Sequence, residues 1–218
     1  MKRTPRRRGV LVPAVVGLAL ALTACGSPAS SATTTSAKTT AGASGSAAPS
    51  AAADRPFGPG CAAVPASGPG SFTDMAQAPM ATAASGNPML KSFVQALTAA
   101  NLMDPLNSTP ELTVLVPADT AFAAVPAAHL KALMADTPRL TSTLLHHVIQ
   151  GRLTPDRLAG THTTLDNDAV TIEGSGTNFT VAGGGTVTGT AASVVCGDVR
   201  TSNATVYVID QVLKPAGS

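Results

Sequence analysis

The sequence is poor in aromatic residues. Among its 218 residues it has no Trp, one Tyr and five Phe, and only 12% of the residues are charged. Aromatic side chains contribute much of the buried area in most protein cores. We therefore expect the core of this protein to consist mainly of Leu, Val, Ile, Met and Ala.

The sequence also lacks the short motifs that mark common catalytic and metal sites. It has no Gly-x-Ser-x-Gly, His-Glu-x-x-His, Cys-x-x-Cys or P-loop motif. The adjacent His146 and His147 cannot share one face of a helix, so we expect one to pack inward and the other to be exposed. No catalytic residue, metal ligand or cofactor is predicted; the alternative is a catalytic triad that assembles in space from residues far apart in the sequence.

The N-terminal 24 residues have the layout of a secretory signal peptide. Five Lys and Arg residues precede an apolar stretch at residues 9–22, which is shorter than the roughly 20 residues of a spanning helix. The stretch ends in Leu-Thr-Ala-Cys25, which resembles the lipobox of bacterial lipoproteins. The resemblance implies cleavage after residue 24 and a diacylglyceryl group on Cys25, which anchors the protein to the extracytoplasmic face of the cell membrane. The alternative is an ordinary signal peptide with an incidental cysteine.

Residues 25–56 are predicted to form a disordered linker. Every residue from 26 to 53 except Lys38 is Ala, Ser, Thr, Gly or Pro, a composition that buries too little apolar surface to fold. Such a linker reaches roughly 30 Å on average. Its threonines suit either O-glycosylation or a bare spacer.

Removal of the signal peptide changes the charge of the protein. The precursor has a formal net charge of +2 from 14 Lys and Arg and 12 Asp and Glu. Five of the basic residues precede Cys25, so the mature chain has nine basic and 12 acidic residues and a net charge of −3. We therefore predict no nucleic-acid partner.

Residues 57–218 are predicted to form one α+β domain. Asn87-Pro88 and Thr137-Pro138 each combine an N-capping residue with a proline at the first helical position. The second half has short apolar runs separated by turn residues, and helices followed by strands favour a largely antiparallel sheet. The predicted strands are residues 112–116, 163–165, 169–172, 179–181, 193–196 and 205–213.

Cysteine content predicts one disulfide. If Cys25 is lipidated, only Cys61 and Cys196 remain, and such a pair is expected to be oxidised in an exported protein. A disulfide that closes a loop of about 135 residues stabilises a fold by roughly 4–5 kcal/mol on the chain-entropy estimate.

Three segments resemble the conserved segments of fasciclin domains. Residues 113–122 (TVLVPADTAF) resemble the first conserved box, residues 206–213 (VYVIDQVL) the second, and residues 145–151 (LHHVIQG) the Tyr-His segment between them. Four further segments resemble the mycobacterial subfamily of immunogenic secreted proteins and cell-surface lipoproteins: residues 58–61 (GPGC), 83–88 (AASGNP), 194–197 (VVCG) and 203–207 (NATVY). The resemblance covers nearly all of residues 57–216. It implies a β-wedge or sandwich with flanking helices, and the Cys61–Cys196 disulfide.

The two boxes also have a physical interpretation of their own. Val114 and Val116 should face one side of a strand and Leu115 the other, and the second box alternates in the same way. Asp119 follows a strand and precedes an Ala-rich turn, so it is a plausible N-cap.

Some fasciclin domains of animals bind integrins through the Tyr-His segment and an Asp-Ile pair before the second box. In this sequence His146 replaces the Tyr, His147 retains the His, and Asp198-Val199 occupies the Asp-Ile position. The resemblance makes these four residues candidate interaction residues. The alternatives are a buried, hydrogen-bonded His147 and an Asp198 that lies in an exposed turn.

These observations favour a surface-displayed adhesion or interaction module. Besides the membrane, its expected partner is a matrix protein, a host receptor or an envelope glycan. A second hypothesis is a carrier or sensor of a small apolar ligand such as a lipid, which requires a groove between helices and sheet. A third, a hydrolase, requires a pocket in which a histidine contacts a Ser or Asp. The sequence does not predict an oligomeric state.

Overall fold

The structure, a computed structural model, describes residues 55–216. The predicted signal peptide, Cys25 and residues 26–54 lie outside this part of the chain. The described residues form an α+β domain, as predicted. Its helices are α1 (Phe72–Gln77), α2 (Met80–Gly86), α3 (Lys91–Ala99), α4 (Met103–Ser108), α5 (Asp119–Ala124), α6 (Ala127–Ala135), α7 (Thr137–His146) and α8 (Pro155–Leu158). Its strands are β1 (Leu112–Pro117), β2 (Val148–Gln150), β3 (Gly160–Thr163), β4 (Ala169–Ser175), β5 (Asn178–Val181), β6 (Ala192–Arg200) and β7 (Ala204–Ile209).

The strands form one sheet in the order β2-β1-β7-β6-β5-β4-β3. All neighbouring strands are antiparallel except β1 and β7, which are parallel. The two end strands also approach each other, because Ile149 and Thr164 form an antiparallel bridge and the Leu165 amide donates to the Val148 carbonyl at 2.8 Å. The sheet therefore nearly closes on itself, and we call the line where β2 meets β3 the seam.

The sheet separates two apolar clusters. Val114 and Val116 pack with the helices in one cluster, whereas Leu115 and Tyr207 belong to the other. The predicted alternation within the conserved boxes is therefore confirmed. Although aromatic residues are few, Tyr207 is among the largest fully buried side chains, and its hydroxyl donates to the Leu153 carbonyl at 2.9 Å.

The N-terminal segment of the domain is attached to β6. Phe57 and Gly197 exchange two backbone hydrogen bonds, of 3.1 and 2.8 Å. A side chain at residue 197 would displace the Phe57 ring, because its Cβ would lie 2.4 Å from Cζ of Phe57. Next to this contact Cys61 and Cys196 are joined by the predicted disulfide, with their Cα atoms 4.9 Å apart.

Asn87 does not begin a helix, contrary to the prediction. It follows α2 as its C-cap, and its Oδ1 accepts the Met89 amide at 2.9 Å. Helix α3 begins later, and Oδ1 of Asp119 accepts the amide of Ser92 in its first turn at 2.7 Å. Asp119 is therefore a capping residue, but of α3 and not of its own helix α5.

Helix α7 begins at the predicted place with a different cap. The N-cap is Asp136, one residue before Thr137, and its carboxylate accepts the Arg139 amide at 3.1 Å. Four of the six predicted strands differ in extent by more than one residue, since β4 extends to Ser175 and β6 extends to Arg200. The strand predicted at residues 163–165 is β3 at Gly160–Thr163, and the one predicted at 205–213 ends at Ile209 as β7. Strand β3 ends at Thr163 because Thr164 and the following residues enter a hydrogen-bonded turn.

Candidate functional site

The segment that resembles the Tyr-His motif lies at the end of α7, and both of its histidines are buried. His146 is 3% exposed and His147 is 1% exposed. The expectation that one of them is exposed is therefore wrong. Helix α7 ends between them and β2 begins directly afterwards, so the geometry of a continuous helix does not apply to this pair.

His147 makes two hydrogen bonds to the main chain. Its Nε2 is 3.0 Å from the backbone N–H of Leu213, which can only donate, so Nε2 accepts. Nδ1 therefore carries the proton and donates to the Thr143 carbonyl at 2.7 Å. Burial lowers the pKa of His147 to about 4, and repulsion from His146 adds to this lowering. The hydrogen bond to Thr143 acts in the opposite direction but is the weaker effect. His147 is thus a neutral ring that joins α7 to the segment after β7.

His146 pairs with Asp168, which the sequence did not identify. Nδ1 of His146 lies 2.7 and 2.6 Å from the two carboxylate oxygens of Asp168. The same carboxylate accepts the Thr164 hydroxyl and, at 3.2 Å, the amide of Ala216. Burial raises the pKa of Asp168, but the hydrogen bonds from Thr164, His146 and Ala216 outweigh it and hold the pKa below its usual value. Asp168 thus connects α7, the turn before β4 and the C-terminal segment.

Asp198 and Val199 lie within β6 and are both 1% exposed. The strand has a β-bulge here, because Gly197 and Asp198 together oppose the single residue Tyr207. Asp198 has a φ of 54°, a left-handed conformation that Asp tolerates better than most residues, and its Oδ1 is 3.9 Å from Nε of Arg200. The alternative of an exposed turn residue is therefore wrong.

The four candidate interaction residues are thus all buried, two at the junction between α7 and β2 and two within β6. None of His146, His147, Asp198 and Val199 offers a side chain to a partner in this conformation. A role for them in binding stays a prediction, and it would have to act through the surfaces that they support. They are recognisable in the sequence by their family motif, but their burial depends on residues far away in the chain.

The hydrolase hypothesis requires a pocket in which a histidine contacts a Ser or Asp, and the His146–Asp168 pair supplies such a contact. In the described part of the chain, no Ser, Thr or Cys side chain hydrogen-bonds to His146 or His147. Both ring nitrogens of His147 are occupied by the main chain. Within residues 55–216, no three His, Cys, Asp or Glu side chains come together in a way that could hold a metal ion. The pair therefore has the geometry of a structural contact.

The surface has a polar groove along the seam. The groove has a volume of about 380 Å³. Its exposed side chains are polar and uncharged, and they include hydroxyl and amide groups that both donate and accept hydrogen bonds. The residues that line it are Ile149, Gln150, Thr161, His162, Thr163, Thr164, Leu165 and Asn167.

A second cavity lies between α5, α6, α7 and the segment after β7. Its volume is about 250 Å³. Much of its lining is apolar, with Phe122 and Val125 from α5 and the residue that follows it, and Leu130 and Leu133 from α6. A partly apolar cavity is therefore present, and it lies among helices and the C-terminal segment, whereas the second hypothesis expected a groove between helices and sheet.

The comparisons with known proteins agree with this fold. The model of the family described as "Fasciclin domain" matches residues 88–215, which is more than half of the chain. The chain belongs to the fasciclin domain family. The fold and the family that the conserved segments implied are thereby confirmed.

Several relatives of this fasciclin-domain chain are mycobacterial proteins that are named as cell-surface or immunogenic proteins. The chain is 44% identical to the cell surface glycolipoprotein MPB83 of Mycobacterium bovis over 167 residues, which covers 73% of this chain and 72% of the relative. It is 42% identical to the immunogenic protein MPB70 of the same species over 166 residues, covering 72% and 81%. A solved FAS1 domain pair from the insect cell adhesion molecule Fasciclin I matches with a TM-score of 0.47 and 25% identity, over 57% of this chain and 45% of that one.

None of the helices formed by residues 55–216 is both long enough and apolar enough to cross a membrane. The relatives MPB83 of M. bovis and MPT83 of Mycobacterium tuberculosis are both named as cell-surface proteins. A surface or extracellular location is therefore consistent with the family, whereas the lipid anchor depends on Cys25, which lies outside the described residues.

Proposed function

We propose that this protein is a lipid-anchored, extracytoplasmic interaction module. The proposal is supported by the signal-peptide pattern, by the lipobox-like cysteine at position 25 and by a spacer that reaches roughly 30 Å. It is also supported by a relative that is named a cell surface glycolipoprotein. The fasciclin domain would then be displayed at a distance from the membrane, where large partners have access to it.

The lipid anchor has a direct test. Cells that express the chain are supplied with a labelled fatty acid, and the protein is then followed in membrane and aqueous fractions. The wild type should carry the label and sediment with membranes, whereas Cys25→Ser should lose both properties. Cys61→Ala is the matched control and should still be labelled. Equal labelling of wild type and Cys25→Ser would contradict the anchor.

The seam groove is the surface that supports partner binding best. The motif residues His146, His147, Asp198 and Val199 are buried, so a partner must contact other side chains. The exposed groups of the groove, among them Gln150, suit the hydroxyls of a sugar, because each can donate and accept hydrogen bonds. Among matrix protein, host receptor and envelope glycan, an envelope glycan fits this groove best.

The groove proposal predicts loss of glycan binding when its hydroxyl and amide groups are removed. The full chain carrying Cys25→Ser is titrated with envelope polysaccharide fragments and, in parallel, with matrix proteins. Combining Gln150→Ala, Thr163→Val and Asn167→Ala should weaken saturable glycan binding more than tenfold, since each hydrogen bond contributes roughly 1 kcal/mol. Thr180→Val, an exposed change on β5, is the control and should bind like the wild type.

Two results would contradict the groove proposal in different ways. If the glycan binds equally to the wild type and to the triple variant, the groove is the wrong surface. If a matrix protein binds instead and the triple variant loses it, the groove is right and the partner class is wrong. Absence of saturable binding to any of these partners would reject the interaction module itself.

A second candidate function is binding of a small apolar ligand. The specific observation in its favour is the cavity of about 250 Å³ beside α6, with its apolar lining from α5 and α6. A pocket of this kind buries apolar surface of a ligand and gains free energy in proportion to the area removed from water. The candidate predicts that acyl compounds bind to the purified protein.

A further inference from the structure

The cavity beside α6 combines an apolar interior with basic groups. Besides its apolar residues, it is lined by Arg139 at the start of α7, Lys214 in the segment after β7, and His129 in α6. No Asp or Glu lines it. The nearby carboxylate of Asp136 is engaged with the amide of Arg139 as the cap of α7.

The basic groups of the cavity are available to a ligand. Among the described residues, neither the Arg139 nor the Lys214 side chain takes part in an ion pair. The surrounding domain is acidic, because residues 55–216 contain eight Lys and Arg against 11 Asp and Glu, a net charge of −3. A site lined only by cations in an acidic domain is electrostatically complementary to an anion.

Helix α6 covers the cavity without being firmly held itself. None of its nine residues is buried, and Leu130, Leu133 and Met134 are only partly buried against the core. An element that buries so little apolar surface is displaced at low free-energy cost. Ligand entry beneath α6 therefore does not require disruption of the core.

We propose that this cavity binds a single-chain anionic amphiphile, namely a medium-chain fatty carboxylate. The acyl chain would pack against Phe122, Leu130 and Leu133, and the carboxylate would contact Arg139 and Lys214. The volume is just below the roughly 300–1,000 Å³ of drug-sized ligand sites, so it suits one short chain better than a two-chain lipid. This inference rests on the second candidate function and specifies the chemical class of its ligand.

The test compares ligands that share a tail and differ in the head group. The full chain carrying Cys25→Ser, which has no acyl group of its own at that position, is titrated with decanoate, decanol and decyltrimethylammonium by calorimetry. Decanoate should bind most tightly, and Arg139→Gln combined with Lys214→Gln should weaken it about tenfold while leaving decanol unchanged. Arg157→Gln combined with Lys91→Gln removes two exposed charges outside the cavity lining and should change nothing.

A second variant tests the location of the tail. Ala132 is exposed on α6 and lines the cavity, so Ala132→Trp should fill it and abolish binding of both decanoate and decanol. Thermal unfolding of each variant shows that the fold is retained. Equal affinity for decanoate and decanol, or no effect of the Arg139 and Lys214 changes, would overturn the anionic ligand but not the apolar-ligand function. No binding of any of the three compounds would overturn both.

Discussion

His147 is a buried histidine whose two ring nitrogens are both used by the main chain, as donor to Thr143 and as acceptor from Leu213. A protonated ring would have to give up the bond from Leu213 and would place a charge in the core. The folded protein therefore keeps His147 neutral at pH values where the unfolded chain already protonates it. This difference couples the stability of the domain to pH.

The free energy of unfolding should fall in mild acid because of His147. Its pKa is about 4 in the folded state against 6.5 for an ordinary histidine side chain, so the unfolded state binds more protons between these pH values. The contribution of His147 to the free energy of unfolding is fully present above pH 6.5. It should decrease by about 2 to 3 kcal/mol when the pH falls to 4.5. Urea unfolding at pH 7, 5.5 and 4.5 measures the change.

His147→Gln should be less stable at pH 7 and should lose most of this pH dependence, because glutamine does not titrate. His129→Gln is the matched control, since His129 is exposed on α6, and it should retain the pH dependence of the wild type. Identical pH slopes for the wild type and His147→Gln would show that His147 is not the group responsible.

The capping role of Asp119 leads to a second prediction about the stability contributed by a single side chain. Asp119→Ala should lower the free energy of unfolding by about 1 kcal/mol, because the Ser92 amide at the start of α3 loses its acceptor. Asp119→Asn keeps an oxygen in place and should cost less. Thr120→Ala, an exposed neighbour, serves as the control in chemical denaturation, and a cost equal to that of Asp119→Ala would contradict the capping role.

At the scale of elements, the turn at residues 166–168 is a junction between separate parts of the fold. Asp168 accepts hydrogen bonds from His146 in α7, Thr164 before the turn, and Ala216 in the C-terminal segment. Asp166, two residues earlier, accepts one side-chain donor, the hydroxyl of Ser142 at 2.5 Å. The two carboxylates therefore provide a matched pair for measuring how much this junction stabilises the seam.

Asp168→Ala should cost roughly 2–3 kcal/mol, because it leaves several donors without an acceptor. It should also speed hydrogen exchange at the amides of Leu165 and Ala216, which lie at the seam and in the C-terminal segment. Asp166→Ala should cost less and leave exchange at Ala216 unchanged. If the Ala216 amide were equally protected from hydrogen exchange in both variants, the proposed role of Asp168 in holding the C-terminal segment would be contradicted.

The disulfide links the N-terminal segment to β6 across a sequence separation of 135 residues. Replacing both cysteines, as Cys61→Ala with Cys196→Ala, should lower the free energy of unfolding by about 4 kcal/mol. A reducing agent should have a similar effect on the wild type and none on the double variant. Cys25→Ser is the control and should respond to the reducing agent as the wild type does. If the variant without Cys61 and Cys196 were as stable as the wild type, the prediction would be contradicted.

The types of the six predicted strands and of the helix at Thr137 were correct, whereas β2 was not predicted and the limits of the elements depend on distant residues. Turn residues and alternating apolar runs predicted the positions of β4, β5 and β6. The helix start at Asn87 failed because Asn is favourable at both ends of a helix, and α3 is capped instead by Asp119, which is 27 residues away. The burial of Asp198 similarly follows from a bulge opposite β7 that no local pattern in β6 reveals.

At the scale of the whole molecule, the family motifs predicted the fold, but they did not predict the surfaces that a ligand can reach. The seam groove exists because β2 and β3, the two ends of the sheet, meet at only one bridge. The cavity beside α6 exists because that helix covers the core loosely. Both follow from how elements pack at a distance, and the motif residues instead lie inside the structure that supports these surfaces.

The position of β7 has a consequence for the order of events during synthesis. This last strand of the described chain lies between β1 and β6, so a growing polypeptide has no central strand until residues 204–209 have been made. Pairing between such distant segments is slow to form. The sheet of a nascent chain therefore cannot be completed before residues 204–209 have been made, so the strands synthesised earlier must wait for their central partner.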